Sequence, residues 1–129
     1  MTAPVLYTGD MQVRALPGIR EQKKEEIVRE ITTSTFSEVL ESEKPVLVEF
    51  WATWCGPCKM MVPVLESIAE ENDWLEVVKV NADENPELTK IYDISSIPTM
   101  LLFHKGSIVK YVVGAKPKAF IKEMISGLE

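Results

Sequence analysis

Both cysteines of this chain, Cys55 and Cys58, lie within the sequence FWATWCGPCK at residues 50–59. Two thiols at this separation can form a disulfide that closes a very small ring. Because so short a loop constrains the unfolded chain little, such a disulfide is expected to stabilise the fold only weakly. A small, accessible disulfide opens and closes readily, so the spacing predicts thiol–disulfide exchange.

The place of the cysteines in the chain predicts a different role for each. The apolar segment 46–51 indicates a buried strand, and a helix is expected to begin at Gly56 or Pro57. The N-terminus of a helix carries unpaired N–H groups and a partial positive charge, which favour a thiolate at Cys55. We therefore expect Cys55 to attack and Cys58, deeper in the helix, to resolve. Gly56 leaves the approach to Cys55 open, and Pro57 makes the first turn rigid.

Two other interpretations of the cysteine pair are disfavoured. A zinc site needs about four ligands, whereas the chain has two cysteines and one histidine, His104, in a predicted hairpin. A pair of inert core cysteines is typical of buried positions, but glycine and proline separate these two at a predicted strand-to-helix junction. His104 is expected to be a surface residue at the end of a strand, without a role.

Two charged residues interrupt otherwise apolar strands. Glu49 is the only charge in the segment 46–51, and Lys79 is the only charge in 77–80. Burying either is costly unless the charges pair or their pKa values shift. If the two strands are adjacent and parallel, both residues lie beneath the junction that carries the thiols. A salt bridge at a sheet edge is one interpretation; we favour a desolvated Glu49 carboxylate that accepts the proton of Cys58, with Lys79 beside it.

The remaining patterns predict the elements that position these residues. Strands are expected at residues 27–31, 46–51, 75–80, 99–104 and 108–113, and helices after residue 35, from 56, from 86 and around 120–128. The alternation of strand and helix predicts a parallel core, to which a terminal hairpin adds antiparallel strands. The expected fold class is therefore α/β, with a central mixed β-sheet flanked by helices on both faces.

Some details of the helices are also predicted. A capping box is expected between Thr35 and Glu38. Pro63 lies inside the second helical pattern and should kink it. The residues expected to face the core are Phe36, Val39 and Leu40 in the first helix, Met61, Val64, Leu65, Ile68 and Ala69 in the second, Leu88, Ile91 and Tyr92 in the third, and Phe120, Ile121, Met124, Ile125 and Leu128 in the last.

Composition excludes several functional classes. The 129 residues carry a net charge of −6, which disfavours binding to nucleic-acid phosphates. No apolar stretch approaches the roughly 20 residues of a membrane span. Residues 1–14 lack the basic leader and apolar segment of a signal peptide. We therefore expect a cytoplasmic protein, in a compartment where thiols are normally kept reduced.

The N-terminal part differs from the rest of the chain. Residues 1–24 are predicted to be an extension, flexible or packed on the surface, ahead of a domain spanning 25–129. Prolines and glycines interrupt its short apolar pieces, and residues 19–26 are mostly charged. The alternative is that residues 5–7 or 11–13 add a strand to an exposed sheet edge, in the same chain or in a second copy.

From about Ile27 to the C-terminus, the chain resembles the thioredoxin family. The resemblance rests on Trp54-Cys55-Gly56-Pro57-Cys58-Lys59, on Ile97-Pro98-Thr99, on Val113-Gly114-Ala115, and on Trp51 and Pro63. It implies the thioredoxin fold and the reduction of protein disulfides by a monomer without a bound cofactor. It further implies regeneration by NADPH through a thioredoxin reductase.

The resemblance also implies a substrate groove lined by Trp54, Ile97, Pro98 and Gly114, with a cis peptide bond before Pro98 that presents Ile97 to an extended substrate. Two features depart from the family pattern: Glu49 stands where aspartate is usual, and residues 1–24 form an unusual leader. Because thioredoxin-like domains also serve as binding or assembly subunits independent of redox state, that function is the alternative to a dithiol reductant.

Overall fold

The computed structural model describes residues 27–129, so the predicted extension at 1–24 lies outside the described residues. A five-stranded sheet in the order β1-β3-β2-β4-β5 forms the centre. Its strands are β1 (Val28–Glu30), β2 (Val46–Trp51), β3 (Glu76–Asn81), β4 (Thr99–His104) and β5 (Ser107–Val113). β1, β3 and β2 run parallel, whereas β4 is antiparallel to β2 and β5 is antiparallel to β4. The predicted mixed sheet is confirmed.

Helices cover both faces of this sheet, as expected. They are a 3₁₀ helix (Thr33–Thr35), α1 (Ser37–Glu41), α2 (Gly56–Glu71), α3 (Pro86–Ile91) and α4 (Lys118–Ile125). On one face, α2 and α4 pack through residues such as Leu65 and Ile121 against Leu47 of β2. On the other face, α1 and α3 pack through Val39 and Leu88 against the same strand.

Burial on both faces explains the apolar composition of the central strands. Five of the six residues of β2 are buried, including Glu49, and so are five of the six residues of β4. Successive side chains of a strand point to opposite faces, so Leu47 and Val48 enter different cores. Because β2 is packed on both faces, its C-terminal end and the loop that follows it are held in a fixed position.

Three residues expected to face the core are instead exposed. Leu40 is 42% exposed, Phe120 is 41% and Ile91 is 67%. Leu40 and Ile91 are exposed because α1 and α3 are short. A helix of five or six residues makes fewer than two turns, and each of these two buries a single residue. Tyr92, just beyond α3, makes the inward contact, with its ring centroid 5.6 Å from that of Phe103.

The predicted capping box between Thr35 and Glu38 is wrong. The box forms one turn earlier, where the Thr32 backbone N–H donates to Thr35 Oγ1 at 2.9 Å. Glu38 instead accepts a hydrogen bond from the Arg29 guanidinium at 2.7 Å. Thr32 and Thr35 thus cap the 3₁₀ helix as a pair, and α1 begins after it, at Ser37.

The hairpin between β4 and β5 has a two-residue turn, Lys105 and Gly106, with φ angles of 55° and 81°. Two consecutive residues with positive φ match the right-handed twist of the flanking strands. A Cβ at Gly106 would lie 3.0 Å from the Leu40 carbonyl oxygen, so a side chain there would be crowded as well as strained by its positive φ. β5 therefore begins at Ser107, one residue before the predicted start.

Within residues 27–129, no helix is long and apolar enough to cross a membrane.

Candidate active site

The two cysteines lie at the junction between β2 and α2. Cys55 is the N-cap residue of α2 and Cys58 is in its first turn, and a disulfide joins them across a Cα–Cα distance of 5.3 Å. The backbone N–H of Cys58 donates to the sulfur of Cys55 at 3.1 Å. This N–H is one of the donors that a helix N-terminus leaves without a helical partner, and it is placed to stabilise negative charge on the Cys55 sulfur when the disulfide is reduced.

Both cysteines are more covered than an accessible disulfide would require. Cys55 is 4% exposed and Cys58 is 3% exposed, so overall exposure does not distinguish them. Ala52 and Ile97 pack against the pair. Gly56 and Pro57, between the cysteines, are exposed. The exposed surface beside the disulfide therefore includes the first turn of α2.

Two loops that are distant in sequence meet beside the disulfide. The peptide bond between Ile97 and Pro98 is cis, and Ile97 contacts the cysteine cluster. The backbone N–H of Gly114 donates to the Pro98 carbonyl at 2.7 Å. Gly114 has a φ of +97°, which L side chains rarely adopt. The fold thus brings Ile97, Pro98 and Gly114 together at the edge of the cysteine site.

Trp54 is held by a residue that the sequence analysis did not single out. Its side chain is among the most exposed large hydrophobic groups, yet the indole Nε1 donates to Asp83 Oδ2 at 2.7 Å. The backbone N–H of Asp83 in turn donates to Oδ1 of the buried Asn81 at 3.0 Å. An Asn and an Asp after a strand indicate a turn, but nothing in their spacing points to Trp54.

Glu49 lies beneath the junction, at the centre of the sheet. It is 2% exposed and pairs in register with Lys79 of β3. Glu49 and Cys58 line the same cavity of about 90 Å³, together with Trp51, Lys59 and Lys79. Burial raises the pKa of Glu49 to about 8, and the positive charge of Lys79 opposes that rise. Within residues 27–129, Glu49 Oε2 has no hydrogen-bond partner.

The interpretation of Glu49 and Lys79 as a salt bridge at a sheet edge is wrong. β2 and β3 are both inner strands of the sheet. The Lys79 ammonium lies 5.3 Å from the ring centroid of Trp51, in a cation–π contact. No ion pair within 4 Å joins Lys79 to Glu49. The ammonium of Lys79 therefore affects the Glu49 carboxylate by a Coulombic interaction over more than 4 Å.

The described part of the chain contains no cluster of side chains that could bind a metal ion. Among residues 27–129, no group of three or more His, Cys, Asp or Glu side chains is placed to hold a metal ion. His104 ends β4 and is half-buried.

Comparisons with known proteins agree with this geometry. The thioredoxin family model matches residues 27–127. The chain is 50% identical to a thioredoxin of Streptomyces clavuligerus over 94 residues, which cover 72% of this chain and 88% of the relative. It is 48% identical to a thioredoxin of Mycobacterium tuberculosis over 107 residues, which cover 82% and 92% of the two chains. A bifunctional thioredoxin reductase/thioredoxin of Mycobacterium leprae is 51% identical over 108 residues, which cover 82% of this chain and 24% of that protein.

The family match spans nearly all of the described residues and includes both cysteines. The matched residues therefore contain the disulfide at the start of α2. This chain belongs to the thioredoxin family of thiol–disulfide oxidoreductases.

Proposed function

We propose that this protein reduces disulfides of other proteins, with Cys55 as the nucleophile and Cys58 as the resolving thiol. The observation that carries the assignment is the hydrogen bond from the Cys58 N–H to the Cys55 sulfur at the N-cap of α2. In the reduced protein, the same donor and the helix N-terminus favour the thiolate of Cys55.

The exchange has two steps. The Cys55 thiolate attacks one sulfur of the target disulfide, forms a mixed disulfide with it, and releases the other sulfur as a thiolate. Cys58 then loses its proton and attacks the Cys55 sulfur, which re-forms the disulfide between Cys55 and Cys58 and releases the second target thiolate. Two electrons pass from the protein to its target, and the cysteines end oxidised.

Glu49 is proposed as the acceptor of the Cys58 proton. The shared cavity gives a route between the two side chains. A pKa of about 8 for Glu49 is close to the value of about 8.5 for an ordinary thiol. Proton transfer between groups of similar pKa is efficient in either direction. Lys79 moderates the basicity of Glu49, because its positive charge favours the ionised carboxylate.

The substrate groove is proposed to consist of Trp54, Ile97, Pro98 and Gly114, with Gly56 and Pro57 at its floor. The contact of Ile97 with the cysteine cluster supports this arrangement. The backbone of Ile97, beside the disulfide, is proposed to pair with an extended substrate segment.

Reducing equivalents are proposed to come from NADPH through a thioredoxin reductase. A relative in which the two activities are joined in one chain supports that partner. The protein is proposed to act in the cytoplasm, because thiols are kept reduced in that compartment. It is also proposed to act as a monomer.

Reduction of insulin disulfides with NADPH and a panel of thioredoxin reductases tests the proposal. The parent is expected to turn over, and Cys55→Ser/Cys58→Ser is expected to be inactive. The alternative, an assembly subunit independent of redox state, predicts that the double variant keeps its function while the parent reduces no insulin. That result would contradict the proposed reductase activity.

A further inference from the structure

A second carboxylate lies in register with Lys79, on the side opposite Glu49. The pairing of β1 with β3 aligns Glu30 with Lys79, and the pairing of β3 with β2 aligns Lys79 with Glu49. Residues aligned in neighbouring strands project from the same face of a sheet. Glu30, Lys79 and Glu49 therefore form one row across three strands, with the only positive charge in the middle.

The row runs from solvent into the protein interior. Glu30 ends β1, the outer strand of the sheet, and is exposed, whereas Lys79 is half-buried. Glu49 is 2% exposed. Adjacent strands are about 4.8 Å apart. The backbones of Glu30 and Glu49 therefore each lie one strand spacing from the backbone of Lys79 and two strand spacings from each other.

Both carboxyl groups respond to the same ammonium. Partial burial raises the pKa of Glu30; the charge of Lys79 opposes that rise and the charge of Glu84 adds to it. Burial likewise raises the pKa of Glu49, again opposed by Lys79. Lys79 forms no ion pair within 4 Å with either glutamate, so a small movement of its flexible side chain favours one carboxylate at the expense of the other.

We propose that Glu30 is a positioning residue that shares the Lys79 ammonium with Glu49 and thereby keeps Glu49 a weaker acid. The inference rests on the proposed role of Glu49 as the proton acceptor of Cys58. It adds that the charge of an exposed residue on the outer strand sets how strongly Glu49 binds that proton.

Other charged groups also face Glu49. From α2, Lys59 lines the cavity that Glu49 shares with Cys58, and Glu66 lines a second cavity of about 70 Å³ beside Glu49 and Lys79. Neither lies in the row of aligned strand residues. Glu84 acts on Glu30. These groups stay unchanged in the experiment, so they do not contribute to a difference between variants.

The test is a carbon-13 NMR titration of the Glu49 side-chain carboxyl in the oxidised protein, assigned by its loss in Glu49→Gln. In Glu30→Gln, the Glu49 pKa is expected to fall by about 0.3 to 1.2 units, because the repulsion between unit charges about 10 Å apart is removed and the Lys79 ammonium then favours Glu49 alone. In 1 M salt the shift is expected to shrink, because the Glu30 charge is exposed and screened.

Three controls separate shared charge from other causes. Glu41→Gln removes another exposed charge, from α1, and is expected to leave the Glu49 pKa unchanged. Glu30→Asp keeps the charge and is expected to retain most of the parent value. In a Lys79→Met background, Glu30→Gln is expected to shift the Glu49 pKa less than it does in the parent.

Three results would overturn the proposal: an unchanged Glu49 pKa in Glu30→Gln, a shift of the same size in Glu41→Gln, or an equal shift in the absence of Lys79.

A kinetic measurement keeps this inference distinct from the proposed function. The pH profile of mixed-disulfide resolution in Glu30→Gln is expected to move to lower pH by the same amount as the Glu49 pKa. If the NMR pKa moves while the resolution profile does not, charge sharing is supported and the acceptor role of Glu49 is contradicted.

Discussion

The indole Nε1 of Trp54 donates a hydrogen bond to the carboxylate of Asp83 at 2.7 Å, although the Trp54 side chain is 70% exposed. An exposed aromatic ring would otherwise sample several rotamers. The bond holds one wall of the proposed groove before any substrate arrives. Holding a binding residue in its bound orientation lowers the entropic cost of association.

Removing the partner of Trp54 is expected to weaken substrate binding. In Asp83→Ala, KM for insulin is expected to rise about fivefold with kcat nearly unchanged, since one such hydrogen bond contributes about 1 kcal/mol. Asp83→Asn retains an acceptor oxygen and should recover most of the loss, whereas Glu84→Ala, at the neighbouring exposed position, should have no effect. Steady-state kinetics of the three variants measures this. A kcat loss in Asp83→Ala at constant KM would contradict a role in positioning.

Cys58→Ser should trap the reaction at its first step. Cys55 still attacks a target disulfide, but no second thiol remains to resolve the adduct. Mass spectrometry after mixing with a disulfide substrate should locate the adduct on Cys55. Cys55→Ser is the matched control, and an equal yield of adduct in that variant would reverse the assigned roles.

Glu49→Gln should slow resolution more than initial attack near neutral pH. The amide cannot accept the Cys58 proton, whereas the attack by Cys55 depends on the helix N-terminus. Rapid-mixing kinetics of both steps from pH 6 to 9 distinguishes them. Identical resolution rates in the variant and the parent across this range would show that Glu49 is not the acceptor.

The same substitution should change how stability depends on pH. The pKa of Glu49 is about 8 in the folded protein against 4.5 for an ordinary glutamate, so the folded state binds a proton that the unfolded state has released between these values. The stability supplied by protonated Glu49 is complete below pH 4.5 and is lost as pH rises to about 8. The loss is on the order of 5 kcal/mol for a shift of this size.

Glu49→Gln removes this dependence. The difference in free energy of unfolding between Glu49→Gln and the parent should therefore increase from pH 4.5 to 8 and then level off. Urea denaturation of the oxidised proteins at several pH values measures the difference. A difference that stays constant with pH would mean that Glu49 titrates normally in the folded protein.

Deleting residues 1–24 should leave the protein stable and active. The described residues 27–129 form a five-stranded sheet with helices on both of its faces, so we expect the domain to fold without residues 1–24. Tm, mass in solution and insulin turnover of the shortened chain should all match the full chain after allowance for the missing mass. A large fall in Tm, or loss of a dimer, would instead support the alternative in which residues 5–7 or 11–13 add a strand to a sheet edge.

The sequence alone was sufficient to predict the order of elements and the chemistry of the cysteine pair. Continuous apolar runs identify β2 and β4 because both of their faces are buried. The start of α2 could be predicted because Cys55, Gly56 and Pro57 act locally, at the first turn of the helix. Glu49 and Lys79 stood out because a single charge in a buried strand is costly wherever that strand lies.

Other features were decided only by the tertiary structure. Ile91 is exposed whereas the next residue, Tyr92, packs beside Phe103. The capping box forms at Thr32 and Thr35 and not at the later Thr35 and Glu38. The partner of Trp54 is 29 residues away, and the row of Glu30, Lys79 and Glu49 exists because the chain places β3 between β1 and β2. Spacing along the chain reports contacts within one helix or strand, whereas contacts between elements depend on strand order and register, which the packing of the whole core selects.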